Sequence, residues 1–335
     1  MSIQKVARQA GVSIATVSRV FNMPDTVTPA MRERVQQAAK ALGYVPNTTA
    51  RTLRMRRSKV LGVVLPTLLN PVFAECLEGI AAAAEAGGYA IVPVTTDYKL
   101  ENEEAAVKRL LGENVDGLIL VVSSPETSTA LQTLRAREVP YVLLYNRHPA
   151  HPCISVDGEE AVAALVRRLA ALGHRRIAMV SGQLAASDRA QQRHRGYVRG
   201  MNDAGLPVCD LVEVPFMDTA VATLADFLRT PSRPTALVCS NDLLAIRCLR
   251  AAHVAGLRVP DELSVVGFDG IELTNDLTPI LSTITQPNRE MGRSSVQLVV
   301  AALAAGRMPE VAESRTFAHG FRDGESCSPN HERTT

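Results

Sequence analysis

Residues 6–22 read Val6-Ala7-Arg8-Gln9-Ala10-Gly11-Val12-Ser13-Ile14-Ala15-Thr16-Val17-Ser18-Arg19-Val20-Phe21-Asn22, two helical patterns parted by a glycine. Ser2 offers an N-cap for a first helix over Ile3 to Ala10, and Gly11 can close it in the left-handed region. Ser13 offers the cap of the second helix. A link this short makes the two helices cross sharply, the helix-turn-helix arrangement that presents its second helix to a DNA major groove. Ala7 permits close approach, and Val12, Val17 and Val20 fall on the inner side. Ile14, Ala15, Ser18 and Arg19 then face outward, with Asn22 at the helix end. The Arg19 fork suits guanine O6 and N7, and Ile14 and Ala15 suit a thymine methyl. The hydroxyls of Ser13 and Thr16 suit phosphates. Thr28-Pro29 opens a third helix that runs to about Leu42, and Gly43 ends it.

The charge follows the same division. Residues 1–59 hold eleven Lys/Arg against two acids, Asp25 and Glu33. The other 276 residues hold 25 against 32, so the chain's +2 separates into +9 and −7. A basic head on a mildly acidic body points to a nucleic-acid module joined to one that is not. Between them Pro46 breaks the chain. Asn47 can cap a short helix through Leu53, and five Lys/Arg crowd residues 51–59. A helix of that length is marginal alone, which makes it a candidate hinge that orders on a partner.

From Val60 onward, apolar β-branched runs alternate with alanine- and leucine-rich helical stretches. The runs are residues 60–66, 89–94, 117–122, 140–145, 176–181, 211–216, 236–240 and 263–268. About ten such units predict two α/β lobes, each a parallel sheet covered on both faces. Ligands of such sheets bind at the carboxyl ends of strands, in the cleft between lobes. By that rule Phe73, Asn146, Arg147, Arg193, Phe216, Asn241 and Asp269 are the candidate ligand residues. Carboxylate and amide groups suit hydroxyls, arginine suits an anion or hydroxyl, and aromatic faces stack on rings. Asp242 reads as the N-cap of the helix that follows it.

Several classes are set aside. No phosphate-cradling, dinucleotide, nucleophile-elbow or zinc-protease motif is present, so neither enzymatic activity, cofactor nor metal is expected. The six cysteines are scattered, none in Cys-x-x-Cys, which suggests reduced thiols. No signal peptide or long apolar run is read, so a cytoplasmic protein without membrane contact is expected. A secreted solute-binding protein, the remote alternative, would lack the basic head.

Val6-Ala7-x-x-Ala10-Gly11-Val12-Ser13-x-Ala15-Thr16-Val17-Ser18-Arg19-Val20 resembles the head of the lactose-repressor/galactose-repressor family of bacterial regulators. Gly43-Tyr44-x-Pro46-Asn47-x-x-Ala50-Arg51-x-Leu53 is similar to that family's hinge. Further tags follow in order, among them Asn70-Pro71-x-Phe73, Arg193-x-x-Gly196-Tyr197, Val265-Val266-Gly267-Phe268-Asp269 and Gln286-Pro287. The resemblance covers residues 1–322. It implies a small all-α helix-turn-helix head (1–45), a hinge (46–59) and a periplasmic-binding-protein-like body (60–335) of two doubly wound parallel-sheet lobes. The N-lobe would span about 60–158 and 288–319, the C-lobe about 159–287 and 320–325. It also implies a homodimer on pseudo-palindromic operator DNA, with the hinge residues Asn47, Ala50 and Arg51 at the DNA and Leu53 as a minor-groove wedge. Arg193 and Asp269 would contact a small effector, a sugar or sugar acid, with a nucleoside-type corepressor as the alternative. Two departures, Gly270 in place of a second aspartate and Asn146 in place of an aspartate, suggest a cleft less negative than is common in the family. The residues after Phe321 offer no leucine seam for a tetramer and read as a disordered tail. Helix 74–86 is the candidate dimer contact.

Overall fold

The computed structural model describes residues 2–44, 57–216 and 220–330. The chain divides into two compact units, Met1–Lys59 and Val60–Thr335.

The first unit holds α1 (Ile3–Ala10), α2 (Ile14–Asn22) and α3 (Pro29–Ala41). Gly11 ends α1 at φ 61°, the conformation a side chain resists. The Ser13 hydroxyl caps α2 by accepting from the Thr16 N–H at 3.0 Å. Ser2 and Thr28 occupy the caps of α1 and α3 without a side-chain bond, so their expected role falls to backbone geometry and, in α3, to Pro29. Val6, Val17 and Val35 are wholly buried, with Ala7, Ala10, Val20, Ala38 and Ala39 around them. The expected hinge residues Asn47, Ala50, Arg51 and Leu53 lie outside the described residues.

The second unit carries two six-stranded sheets. The first contains β1 (Val60–Leu65), β2 (Ala90–Thr95), β3 (Gly117–Leu120), β4 (Tyr141–Leu144), β5 (Cys153–Val156) and β11 (Arg315–Phe317), in the order β11-β5-β4-β3-β1-β2, all parallel. The second contains β6 (Ile177–Gly182), β7 (Val212–Val214), β8 (Ala236–Cys239), β9 (Ser264–Asp269), β10 (Ser282–Thr285) and β12 (Gly320–Arg322). Its order is β12-β10-β9-β8-β6-β7, with β12 alone antiparallel. Both sheets thus reverse strand order beside their first strand, at β1/β3 and β6/β8, and each reversal opens a crevice at the carboxyl ends. The apolar runs are buried because helices cover both faces. These are α4 (Pro71–Ala86), α5 (Leu100–Gly112), α6 (Thr129–Ala136) and α11 (Asn288–Ala305) around the first sheet. Around the second are α7 (Gly158–Ala171), α8 (Asp188–Asp203), α9 (Val221–Leu228) and α10 (Asp242–Val254). Helices α4 and α11 meet so closely that a Cβ on Gly292 would lie 2.3 Å from the Cys76 carbonyl oxygen.

The short strands β5, β10, β11 and β12 are additional to the apolar runs, and the end of the chain departs from the expected disordered tail. Residues 323–330 are not a loose tail. Ser326 is wholly buried, the Val265 N–H donates to its carbonyl at 2.8 Å, and its hydroxyl accepts from the Ser282 N–H at 2.8 Å. The Asn330 N–H reaches the Leu172 carbonyl at 2.8 Å. The segment is held by main-chain bonds along the second sheet, which an apolar pattern does not announce. Among the described residues no helix is long and apolar enough to cross a membrane.

Candidate functional site

On the head, α2 presents Ile14, Ala15 and Arg19 outward, with Ile14 46% exposed, while Val17 and Val20 are buried. Thr16 and Ser18 are half-buried. The Ser13 hydroxyl also lies 2.9 Å from the Thr16 hydroxyl. It is therefore engaged in capping, and the free N–H groups of the first turn remain for an anion. This face carries an arginine fork, two apolar contacts and a helix N-terminus, the set needed to read and grip a DNA groove.

In the body, a narrow cleft with about 30 Å³ of water-accessible space lies at the carboxyl ends of both sheets. The first sheet's strand ends and the loops and helix starts that follow them supply Asn70, Phe73, Tyr98 and Tyr145, and those of the second supply Arg189, Arg193, Phe216, Ser240, Asn241, Asp269 and Gln286. Five of the seven expected ligand residues, Phe73, Arg193, Phe216, Asn241 and Asp269, are thus brought together.

Asp269 ends β9 at φ 119°, Tyr145 follows β4 at φ 64° and Tyr98 follows β2 at φ 58°. Left-handed backbone is costly for side-chain-bearing residues and is retained where a ligand clamp requires it. Gly270 comes next at φ 72°, and a Cβ there would sit 2.8 Å from the Thr285 backbone, so the departure from aspartate has a steric reason. The buried Asp269 carboxylate accepts from Gln286 Nε2 at 2.9 Å and Arg193 Nη2 at 3.3 Å. Burial pushes its pKa up to about 6, although the Arg193 guanidinium pulls it down. Arg193 also donates to the Ser240 carbonyl and lies flat over the Phe268 ring, 3.6 Å from its centroid. Arg189, one helical turn earlier, donates through Nη1 to the Val122 carbonyl at 2.7 Å and to Asp188 at 3.1 Å. Its Nη2, the Ser240 hydroxyl and the Gln286 amide oxygen are buried with no hydrogen-bond partner among the described residues.

Three expectations need correction. Asn146 is wholly buried and occupied elsewhere: its amide exchanges hydrogen bonds with Val122 N–H and C=O and donates to Asp188 at 2.7 Å. Arg147 pairs with Asp157 on an outer surface, about half exposed, and does not line the cleft. Asp242 is not the cap of α10; the Asn241 side chain caps it, accepting from the Leu244 N–H at 2.8 Å. Missed residues include Tyr145 and Ser240, each one place before an expected residue. Arg189 was missed too, though it falls four before Arg193 on the same helix face.

Asp242 sits behind the cleft, accepting from the Ile271 N–H at 2.9 Å and from the Thr283 hydroxyl. Burial, with Asp269 nearby, raises its pKa from 3.8 to about 8. The native state therefore holds a proton that the unfolded state has lost above pH 4, and stability from this group falls as pH rises towards 8. His151 works the other way, lowered by burial to about 4, but its contribution is complete by its ordinary value of 6.5. Between pH 6.5 and 8, Asp242→Asn is expected to flatten the decline of wild-type stability in denaturant titrations. Parallel declines in the two proteins would exclude a protonated Asp242.

A model for bacterial regulatory proteins of the lacI family matches residues 2–47, and one for a periplasmic binding protein-like domain matches residues 166–327. Catabolite control protein A of Priestia megaterium is 33% identical over 304 residues, 89% of this chain and 91% of that protein. The repressor CytR of Escherichia coli K12 is 30% identical over 305 residues, 89% of each. The lac repressor dimer bound to operator and the anti-inducer ONPF aligns with a TM-score of 0.86 at 28% identity, over 97% of this chain and 98% of that one. A complex of the regulator CelR with cellobiose aligns at 0.70 and 28%, over 97% and 99%. The chain belongs to the lacI family of bacterial transcription regulators, with a helix-turn-helix DNA-binding head and an α/β effector-binding body.

Proposed function

We propose that this regulator is a homodimeric repressor whose grip on a pseudo-palindromic operator is set by a small polyhydroxylated effector in the body cleft. The observation that carries this reading is the trio of buried, unpartnered polar atoms on the cleft wall, Arg189 Nη2, Ser240 Oγ and Gln286 Oε1. Left unmet, each costs about 1–3 kcal/mol, so a ligand offering both donors and acceptors gains affinity there. Hydroxyl groups offer both. The arginines are already matched, Arg193 with Asp269 and Arg189 with Asp188. Burial raises the pKa of Asp188 and Glu103 as well, so a further carboxylate would be poorly tolerated. An uncharged sugar therefore fits better than a sugar acid. A nucleoside base fits less well, because Tyr98 and Phe216 already stack on each other.

Two heads held at fixed spacing suit a two-fold operator, which motivates the homodimer. The outward Ala74, Ala81 and Ala82 of α4 are candidates for the contact, as the family resemblance suggests. Coupling between cleft and operator follows if the effector prefers one lobe arrangement and the operator another.

Thermal-shift measurements on the full chain with sugars, sugar acids and nucleosides test the effector class; stabilisation by acids alone would reject the neutral reading. On the DNA side, Arg19→Ala is expected to weaken operator binding by about 1–3 kcal/mol and relax one base pair per half-site. Operator affinity and base preference both unchanged in DNA selected from a random pool would remove Arg19 from the interface.

A further inference from the structure

Tyr98 has no place in the sequence reading, yet its position in the cleft is unusual. It belongs to the loop between β2 and α5, tied to the end of β1 by Thr96 N–H to Leu65 C=O at 3.0 Å and Asp97 N–H to Pro66 C=O at 2.8 Å. Asp97 and Tyr98 are consecutive non-glycine residues in the left-handed region, φ 53° and 58°. The loop carries the Tyr98 ring across the cleft, from the first-sheet lobe onto Phe216 of the second. The rings are parallel within 7° with centroids 4.4 Å apart, so no third ring fits between them. Phe216 is backed on its other side: its ring packs against Gly182, where a Cβ would lie 2.2 Å from it, and Arg247 donates to its carbonyl at 3.0 Å. Tyr98 also feels the charges of Arg189, Arg193 and Asp269, and burial pushes its phenol up to about 12, so it stays a neutral hydroxyl.

We infer that Tyr98 is a specificity-determining residue that caps the cleft from the opposite lobe. It occupies the Phe216 face on which a second ring of the effector would stack, and so restricts the ligand to a single sugar ring. The inference rests on the effector reading above and names the size class that the same cleft admits. Because the stack joins the two lobes, it must part whenever the cleft opens, and its strained loop holds the ring ready to return.

The chain has no tryptophan, so Phe216→Trp provides a single emitter at the stack. With Tyr98 in place, acrylamide is expected to quench this emission weakly, and Tyr98→Ala in the same background is expected to raise the quenching constant several-fold. Equal constants would overturn the cap without reference to any effector. In the native-Phe216 background, phenyl and p-nitrophenyl glycosides are the second probe. Their aryl ring can fill the space vacated in Tyr98→Ala, which they are expected to stabilise in thermal shift; wild type and Tyr98→Phe are expected to respond only to free monosaccharides. Aryl glycosides that fail to stabilise Tyr98→Ala, or stabilise all three proteins alike, would overturn the size selection. A several-fold rise in quenching together with no response of wild type to any sugar, acid or nucleoside would mark failure of the effector reading, with the cap intact.

Discussion

Arg193→Ala is expected to abolish the response to effector and to destabilise the body by about 3–5 kcal/mol, the usual consequence of removing one partner of a buried ion pair. The side chains of Arg193 and Asp269 are only 11% and 3% exposed, so solvent cannot take over the lost partner. The substitution also strips the Phe268 ring of its cation and the Ser240 carbonyl of its donor. Asp269 then keeps Gln286 Nε2 but loses the charge that pulls its pKa down towards 6, and it ionises at higher pH. The variant should therefore recover part of its stability as pH falls from 7 to 5, because the raised carboxyl becomes protonated in the native state first. The head has its own core and needs none of these contacts, so operator binding below the melting transition should persist without effector control. Calorimetry from pH 5 to 7 and operator titration measure the two effects. Wild-type stability together with a normal effector response would remove Arg193 from the site.

The second large effect is expected at the carboxyl-terminal segment. Deleting residues 323–335 leaves the buried N–H groups of Val265 and Ser282 without Ser326 and removes the Glu325 and Ser326 bonds to the Ile280 carbonyl. It also removes the Ser328 carbonyl from His174 and Asn330 from Leu172. Two orphaned buried donors alone cost about 2–6 kcal/mol, at about 1–3 each. That is a large share of the stability of an ordinary domain, about 5–15 kcal/mol. Deleting only 331–335 leaves every one of these bonds in place and serves as the reference, so the longer deletion is expected to lower the denaturation midpoint well below that of the shorter one. Equal midpoints for the two truncations would refute the docked arrangement.

The parts that were legible in the sequence have strong local causes. Ser13 caps α2 and Val17 and Val20 turn inward because cap chemistry and helical periodicity act within a few residues. The sheets were legible as apolar runs, and the rule that ligands gather at strand ends located Phe73, Arg193, Phe216, Asn241 and Asp269. The same rule misplaced Asn146 by one residue. The left-handed backbone at Tyr145 turns the tyrosine into the cleft and leaves Asn146 beneath it, and nothing in a single sequence announces that φ. Arg147 and Arg189 show the converse. Each has an aspartate available, Asp157 or Asp188, and both pairs face residues of the other lobe, but only Arg189 lines the cleft, a matter of tertiary position. The docking of residues 323–330 was invisible because serine hydroxyls and main-chain groups carry it, and no apolar period marks such a segment.

Control of the operator by an effector requires reciprocal coupling between the cleft and the head. The direct measurement uses full-length protein, operator DNA selected by that protein from a random pool, and the sugar that stabilises it best. Operator affinity is titrated with and without saturating sugar, and sugar affinity with and without saturating operator. The predicted result is one coupling factor, of about 5–150, read identically from both titrations, as linkage requires. An operator affinity that does not move at saturating sugar would contradict the account, whatever the sugar does to the stability of the body.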